Sequence, residues 1–173
     1  TVDLAGAEIE LVNTESREFA LSRAIGTYLG TGLAGGKGLD FILIDCPPSL
    51  GLLTLNGLVA AEEVLLPIQC EYYALEGLSQ LLRTIEMVRA SLNPELEVSA
   101  ILLTMYDGRT RLASQVADEV RNHFGTRVLS TVIPRSVRLS EAPSYSQTVL
   151  TYDPSSAGAL CYREAALEFA AIK

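Results

Sequence analysis

The sequence predicts an α/β domain built on a mostly parallel, twisted sheet with helices on both faces, and three observations lead there. Short apolar runs rich in Ile, Leu and Val recur at 41–44, 64–68, 98–105 and 128–133, each closed by polar or proline residues. Between them lie longer segments with apolar residues at helical spacing, most plainly Leu75, Leu78, Leu82, Ile85 and Val88. The resulting order β-α-β-α-β-α-β demands right-handed crossovers, which give parallel pairing. With 49% hydrophobic and 6% aromatic residues over 173 positions, one aliphatic core is affordable.

Taken in order, Thr1 to Leu4 reads as the tail of a strand or loop. Ala5 to Gly30 carries apolar residues near helical spacing, with Thr14 or Ser16 as an internal cap. Gly30 to Gly38 (GTGLAGGKG) is a glycine-rich connector. Its Gly36-Lys37 pair is not a phosphate loop: that motif needs an earlier glycine and a Ser or Thr after the lysine, where Thr31 and Gly38 stand. The strand also follows this loop, whereas the motif requires one before it.

Asp40 to Asp45 (DFILID) reads as a strand buried on both faces that stops at Asp45, before Cys46, Pro47 and Pro48. Ser49 to Ala61 is a short, mostly apolar helix. Val64 to Ile68 is the next strand, ending at Gln69, Cys70 and Glu71. Tyr72 to Leu92 is a helix stopped by Pro94. Val98 to Met105 is a third strand, ending in the turn Tyr106-Asp107-Gly108-Arg109-Thr110. Leu112 to Phe124 is a helix with Val116 and Val120 inward, and Val128 to Ile133 a fourth strand closed by Pro134-Arg135. Leu139 to Thr148 reads as irregular, Val149-Leu150 as a short edge strand and Ser155 to Ile172 as a terminal helix. There are no internal repeats.

A formal net charge of −8 argues against a dedicated nucleic-acid binder. Even so, Arg109, Arg111, Arg121, Arg127, Arg135 and Arg138 fall close together and leave room for a local basic face. Cys46, Cys70 and Cys161 are odd in number and lack metal-ligand spacing, as expected of reduced thiols. With no apolar run of membrane-spanning length and no leader pattern, the chain reads as cytoplasmic. It does not open on methionine, and we expect a piece of something longer.

In an open parallel sheet, ligands sit at the carboxyl ends of the strands. Asp45, Gln69 to Glu71, Tyr106 to Arg109 and Pro134 to Ser136 would therefore line one rim. For a carboxylate such as Asp45 that position leaves three uses open: orienting Mg²⁺ on a nucleotide phosphate, accepting a phosphoryl group, or capping the next helix.

Five ordered blocks then carry a resemblance: DFILIDCPPSLGLLTLNGL, PIQCEYYALEGLSQLL, LLTMYDGRTRLASQV, TVIPRSVRLSEAPSYSQ and YDPSSAGALCY. They closely resemble the ParA/Soj-type partition ATPases, a deviant Walker branch of the P-loop NTPase fold that includes the MinD proteins. The resemblance runs from about Asp3 to the C-terminus, interrupted near Gly30 to Gly38. It implies an ATP-dependent homodimer that binds DNA non-specifically, hydrolyses ATP when stimulated by a centromere-binding ParB-type protein, and partitions chromosomes or plasmids on the nucleoid.

By the same resemblance Asp45 is the Walker B carboxylate, catalytic and reaching Mg²⁺ through water, and Cys46 to Gly51, with Pro47, form the switch that senses the γ-phosphate. Met105, Pro134, Arg135 and Ser136 would hold the nucleotide base; the family often has Asn where Ser136 stands. Arg109 and Arg138, and less strongly Arg135, would contact DNA phosphates through planar guanidinium forks. Glu71, Tyr72 and Tyr73 would lie on the dimer surface. The family's lysine-bearing phosphate loop has no counterpart before Asp3, and Lys37 and Lys173 are the only lysines. The expectation is one incomplete ATPase domain over residues 1–173, inactive alone and not necessarily binding ATP or Mg²⁺, with an unpaired sheet edge open to self-association. The alternatives are a nucleotide-free interaction module and, less well matched, a receiver-like phosphoacceptor domain. The acidic end segment Glu164 to Lys173 is unlike a lipid-binding basic helix, so no membrane attachment is expected.

Overall fold

Strand β2 (Glu97–Tyr106) is the middle of a three-stranded sheet ordered β1–β2–β3, with β1 at Glu63–Gln69 and β3 at Val128–Pro134. Its burial explains the near-continuous apolar run. Ala100 and Leu102 pack with Leu129, Ile133 and Ala165, while Ile101 and Leu103, of the opposite parity, are fully buried too. The sheet is thus covered on both faces at this strand, as an α/β layer architecture requires. The computed structural model describes residues 2–31, 39–47, 49–72 and 74–172.

β2 and β3 run parallel, pairing Ile101 with Val128, Leu103 with Val132 and Tyr106 with Pro134. The register slips twice: residues 101–103 span 128–132, and residues 103–106 then span 132–134. The first slip is a bulge in β3. There the Glu168 carboxylate of helix α8 (Ala157–Ala171) accepts the Ser130 N–H at 2.5 Å and the Thr131 N–H at 3.0 Å. Burial opposes the charged form of Glu168, but these bonds outweigh it and hold its carboxyl below the usual range.

Helix periodicity accounts for the remaining elements. α4 (Ala74–Ser91) buries Leu78, Ile85 and Val88, and α5 (Arg111–Phe124) buries Ala113, Val116, Ala117 and Val120. The Thr110 hydroxyl caps α5 by accepting the Ala113 N–H at 3.3 Å, and Ser156 caps α8 in the same way through Ala159. A Cβ on Gly158 would lie 2.9 Å from Leu139 Cγ, so only glycine lets α8 approach so closely.

The chain divides into two compact units, Thr1–Val64 with Leu81–Glu97 and Leu65–Gln80 with Val98–Lys173. The first unit holds α1 (Val2–Val12), α2 (Ala20–Gly30) and α3 (Leu52–Ala60). Buried Asn56 stitches them: its Oδ1 accepts the Leu21 N–H at 3.0 Å, and its Nδ2 donates to the carbonyls of Arg17 at 3.0 Å and Leu52 at 2.9 Å. Asn93 closes the end of α3 by donating to the Leu58 carbonyl at 3.1 Å and the Ala61 carbonyl at 2.7 Å.

Five expectations need correction. Residues 41–47 belong to no strand, and Phe41, Ile42, Leu43 and Asp45 are exposed, Leu43 at 88%. An apolar run signals a tendency to be buried, but a strand forms only against a ladder partner, which the run cannot supply. The sheet accordingly has three described strands, not four. Val2 onward is helical rather than a strand tail. The 5–30 segment breaks at 13–16, where Ser16 adopts a positive φ of 50° and gives no side-chain cap, while the Thr14 hydroxyl bonds back to Glu10. Finally, 139–148 is largely helical through α6 (Val137–Glu141) and a 3-10 turn, and Val149-Leu150 opens the short helix α7 (Val149–Tyr152) instead of an edge strand. Such brief polar segments carry too little periodicity to be read.

Candidate functional site

Main-chain bonds tie the carboxyl ends of the three strands into one rim. The Cys70 N–H donates to the Thr104 carbonyl at 2.9 Å, the Thr104 hydroxyl donates to the Ile68 carbonyl at 3.1 Å, and the Arg135 N–H donates to the Tyr106 carbonyl at 2.9 Å. The loops bearing Glu71, Met105 to Arg109 and Pro134 to Ser136 therefore stand side by side. Half-buried Met105 has φ 54°, a conformation uncommon outside glycine and costly by about 1–3 kcal/mol. It falls within the second register slip, so the strand end twists where the next loop departs.

Every predicted DNA-facing arginine on this rim meets a carboxylate. Asp107 grips Arg109 three ways: its Oδ1 accepts the backbone N–H at 3.1 Å and Nε at 2.9 Å, and its Oδ2 accepts Nη2 at 2.7 Å. These bonds, with the further charge of Arg135, hold the Asp107 carboxyl down at about 2. Arg135 pairs with Glu71. Arg138 lies 3.2 Å from Glu141 and 3.5 Å from Asp153. Its guanidinium holds its proton more tightly because of Tyr152 first and Glu141 next. Tyr152 also stacks on Tyr145, with ring centroids 5.1 Å apart. Ser136 precedes α6 and gives no side-chain cap; its carbonyl accepts the Ser140 N–H at 3.4 Å.

The first unit holds the other predicted residues. Asp45 is exposed and makes no hydrogen bond or ion pair among the described residues. Cys46 is exposed as a residue, but partial burial of its thiol and then the Asp45 charge raise the thiol pKa. The segment is nevertheless anchored to α3. The buried Thr54 hydroxyl donates to the Ser49 carbonyl at 2.5 Å, and Gly57 gives room for Cys46: a Cβ there would sit 2.8 Å from its Sγ. Val12, Arg17, Leu50, Gly51, Leu52 and Thr54 line much of a cavity of about 340 Å³ at the start of this helix. Pro48 and Tyr73 lie outside the described residues, as do 32–38 and Lys173; Tyr72 is 75% exposed.

The structure thus gathers Glu71, Met105, Arg109, Pro134, Arg135, Ser136 and Arg138 in the second unit, and Asp45, Cys46 and Pro47 in the first. Sequence reasoning missed the pairing of the arginines with Asp107, Glu71, Glu141 and Asp153, and the anchors Thr54, Asn56 and Gly57. A glycine inside a helix was a usable signal for the last, because it marks close backbone approach. Among the described residues no group of three or more side chains could hold a metal by itself, and no helix is long and apolar enough to cross a membrane.

Comparison with known proteins places these features in context. The AAA domain family model matches residues 1–98. The sporulation initiation inhibitor protein Soj of Bacillus subtilis is 54% identical over 171 residues, covering 99% of this chain and 65% of its own length. The chromosome partitioning protein ParA of Myxococcus xanthus is 52% identical over 162 residues, covering 94% of this chain and 55% of its own. Cobyrinic acid a,c-diamide synthase from Mycobacterium smegmatis, solved with bound ADP and magnesium, matches with a TM-score of 0.73 at 40% identity, over 95% of this chain and 57% of that one. The chain therefore spans 55–65% of the length of these two relatives.

Proposed function

Because the chain belongs to the ParA/Soj family of AAA-type partition ATPases, we propose that it is the switch-bearing and DNA-facing part of an ATP-dependent partitioning dimer. One arrangement supports the DNA reading most: Arg109 and Arg135 stand on loops leaving adjoining strand ends and Arg138 on the helix α6 that follows, with side chains 88%, 51% and 56% exposed. On this reading the guanidinium groups take phosphate oxygens rather than base edges, so the binding is non-specific and falls steeply with salt. On this reading Met105 and Pro134 to Ser136 hold the nucleotide base, Glu71, Tyr72 and Tyr73 face a second copy, and a ParB-type protein stimulates hydrolysis on the nucleoid.

Asp45 suits magnesium as Mg²⁺ is usually taken: one uncommitted carboxylate, with nucleotide phosphates completing the shell. Bound Mg²⁺ would neutralise charge on the phosphates. Asp45 would orient that ion's waters, while Cys46 to Gly51, tethered through Thr54, would respond to its neighbour. Residues 1–173 are proposed to form one incomplete ATPase domain. With only Lys37 and Lys173 as lysines, they turn over no ATP by themselves.

The deciding experiment is DNA retention by the complete protein carrying both Arg109→Glu and Arg138→Glu. Loss of ATP-dependent retention with nucleotide binding intact is expected; retention at the wild-type level would overturn the assignment. The exposed, strand-free setting of Asp45 favours a second reading, an interaction module that binds no nucleotide. Calorimetry with Mg-ATP separates the two, since measurable affinity removes the module.

A further inference from the structure

We propose that Asp107, Glu71, Glu141 and Asp153 act as built-in phosphate mimics that occupy the rim arginines, so that DNA binds by exchanging these carboxylates for its own phosphates. This rests on the DNA reading above and adds to it the elements that set affinity.

The geometry at Asp107 is the clearest. Both Nε and Nη2 of Arg109 are taken, at 2.9 and 2.7 Å, and these are the two donors a phosphate would engage side by side. The acid is the fixed member: its side chain is 20% exposed against 88% for Arg109, and the Arg109 backbone N–H pins it at 3.1 Å. Arg109 can swing out while Asp107 stays. Asp107 also acts on Arg135, whose own partner is Glu71. Arg138 sits between Glu141 and Asp153.

Charge tells the same story. Three guanidinium groups face four carboxylates, a formal balance of 3 − 4 = −1, so the closed rim offers no long-range attraction to a polyanion. Exposed pairs of this kind are individually weak, and a dense phosphate array can open them. The sequence charge of −8 is then compatible with DNA binding, because the cations are uncovered only on contact.

The test uses the complete protein with Mg-ATP and a fluorescent random-sequence duplex, followed by anisotropy over a series of salt concentrations. Asp107→Asn keeps an oxygen for the turn but frees the guanidinium. It should tighten binding roughly threefold to tenfold and steepen the salt slope by up to about 0.9. In an Arg109→Ala background most of that gain should vanish, leaving only the smaller effect through Arg135. A second arm, Glu141→Gln with Asp153→Asn, frees Arg138 independently and should shift binding in the same direction. If the wild type binds and neither arm tightens binding, the inference falls and the DNA reading stands. If the whole gain persists without Arg109, the exchange mechanism falls. If neither wild type nor variants bind DNA, the DNA reading itself fails, and the inference with it.

Discussion

Two apolar runs of similar composition have opposite fates in this molecule. Ala100 to Leu103 in β2 lies between two hydrogen-bonded strands and is buried on both faces, whereas Phe41 to Leu43 belongs to no strand and is exposed. The difference teaches that aliphatic character sets the reward for burial, and ladder partners decide whether it is collected. In the first unit the stretch that follows this run is anchored to α3 by the hydroxyl of Thr54 and the missing side chain of Gly57.

The sharpest way to break this contrast is to truncate one leucine in each run. Leu103→Ala, at a fully buried site, should lower stability by about 2–5 kcal/mol. Leu43→Ala, at an 88% exposed site, should stay within about 0.5 kcal/mol. Equal losses in urea denaturation would show that 41–44 is a core strand after all.

A smaller effect probes how the first unit is pinned without strands. Asn56→Ala leaves the Leu21 N–H and two carbonyls without their buried partner and should lower stability by about 1–3 kcal/mol. Amide exchange should then accelerate in α2 before it does in β2; uniform acceleration would contradict a local pin.

The smallest effect lies on the rim. The Asp107 carboxyl is held near 2 against an ordinary 3.8, chiefly by the Arg109 side chain. Its folded value is depressed, so its contribution to stability is complete above the ordinary value and fades as pH falls through about 2. A carboxyl NMR titration of the wild type and of Arg109→Ala should find Asp107 ionised in the former at a pH where it is already protonated in the latter. Coincident titration would remove the clamp.

Much of this was legible beforehand. Strands β1 to β3 and helices α4, α5 and α8 announced themselves through period and caps, because their burial is one- or two-sided over many residues. The rim was legible in its stretches Gln69 to Glu71, Tyr106 to Arg109 and Pro134 to Ser136, since strand ends in such sheets converge, whereas Asp45 falls in the other unit and in no strand. The fate of 41–44 was not, because pairing is a property of two segments and the sequence displays one at a time. The Glu71–Arg135 pair joins residues 64 positions apart and left no local trace. By contrast, Asp107 and Arg109 are two apart across a glycine, and an Asx turn was there to be read.

The carboxylate that Glu168 lays into the β3 bulge has one more consequence. Among the described strands β3 is the outermost on its side, and two amides that an incoming polypeptide would need are already occupied. A visiting chain would have to evict an ionised acid before gaining its first bond there, so amyloid-like growth is disfavoured from that border.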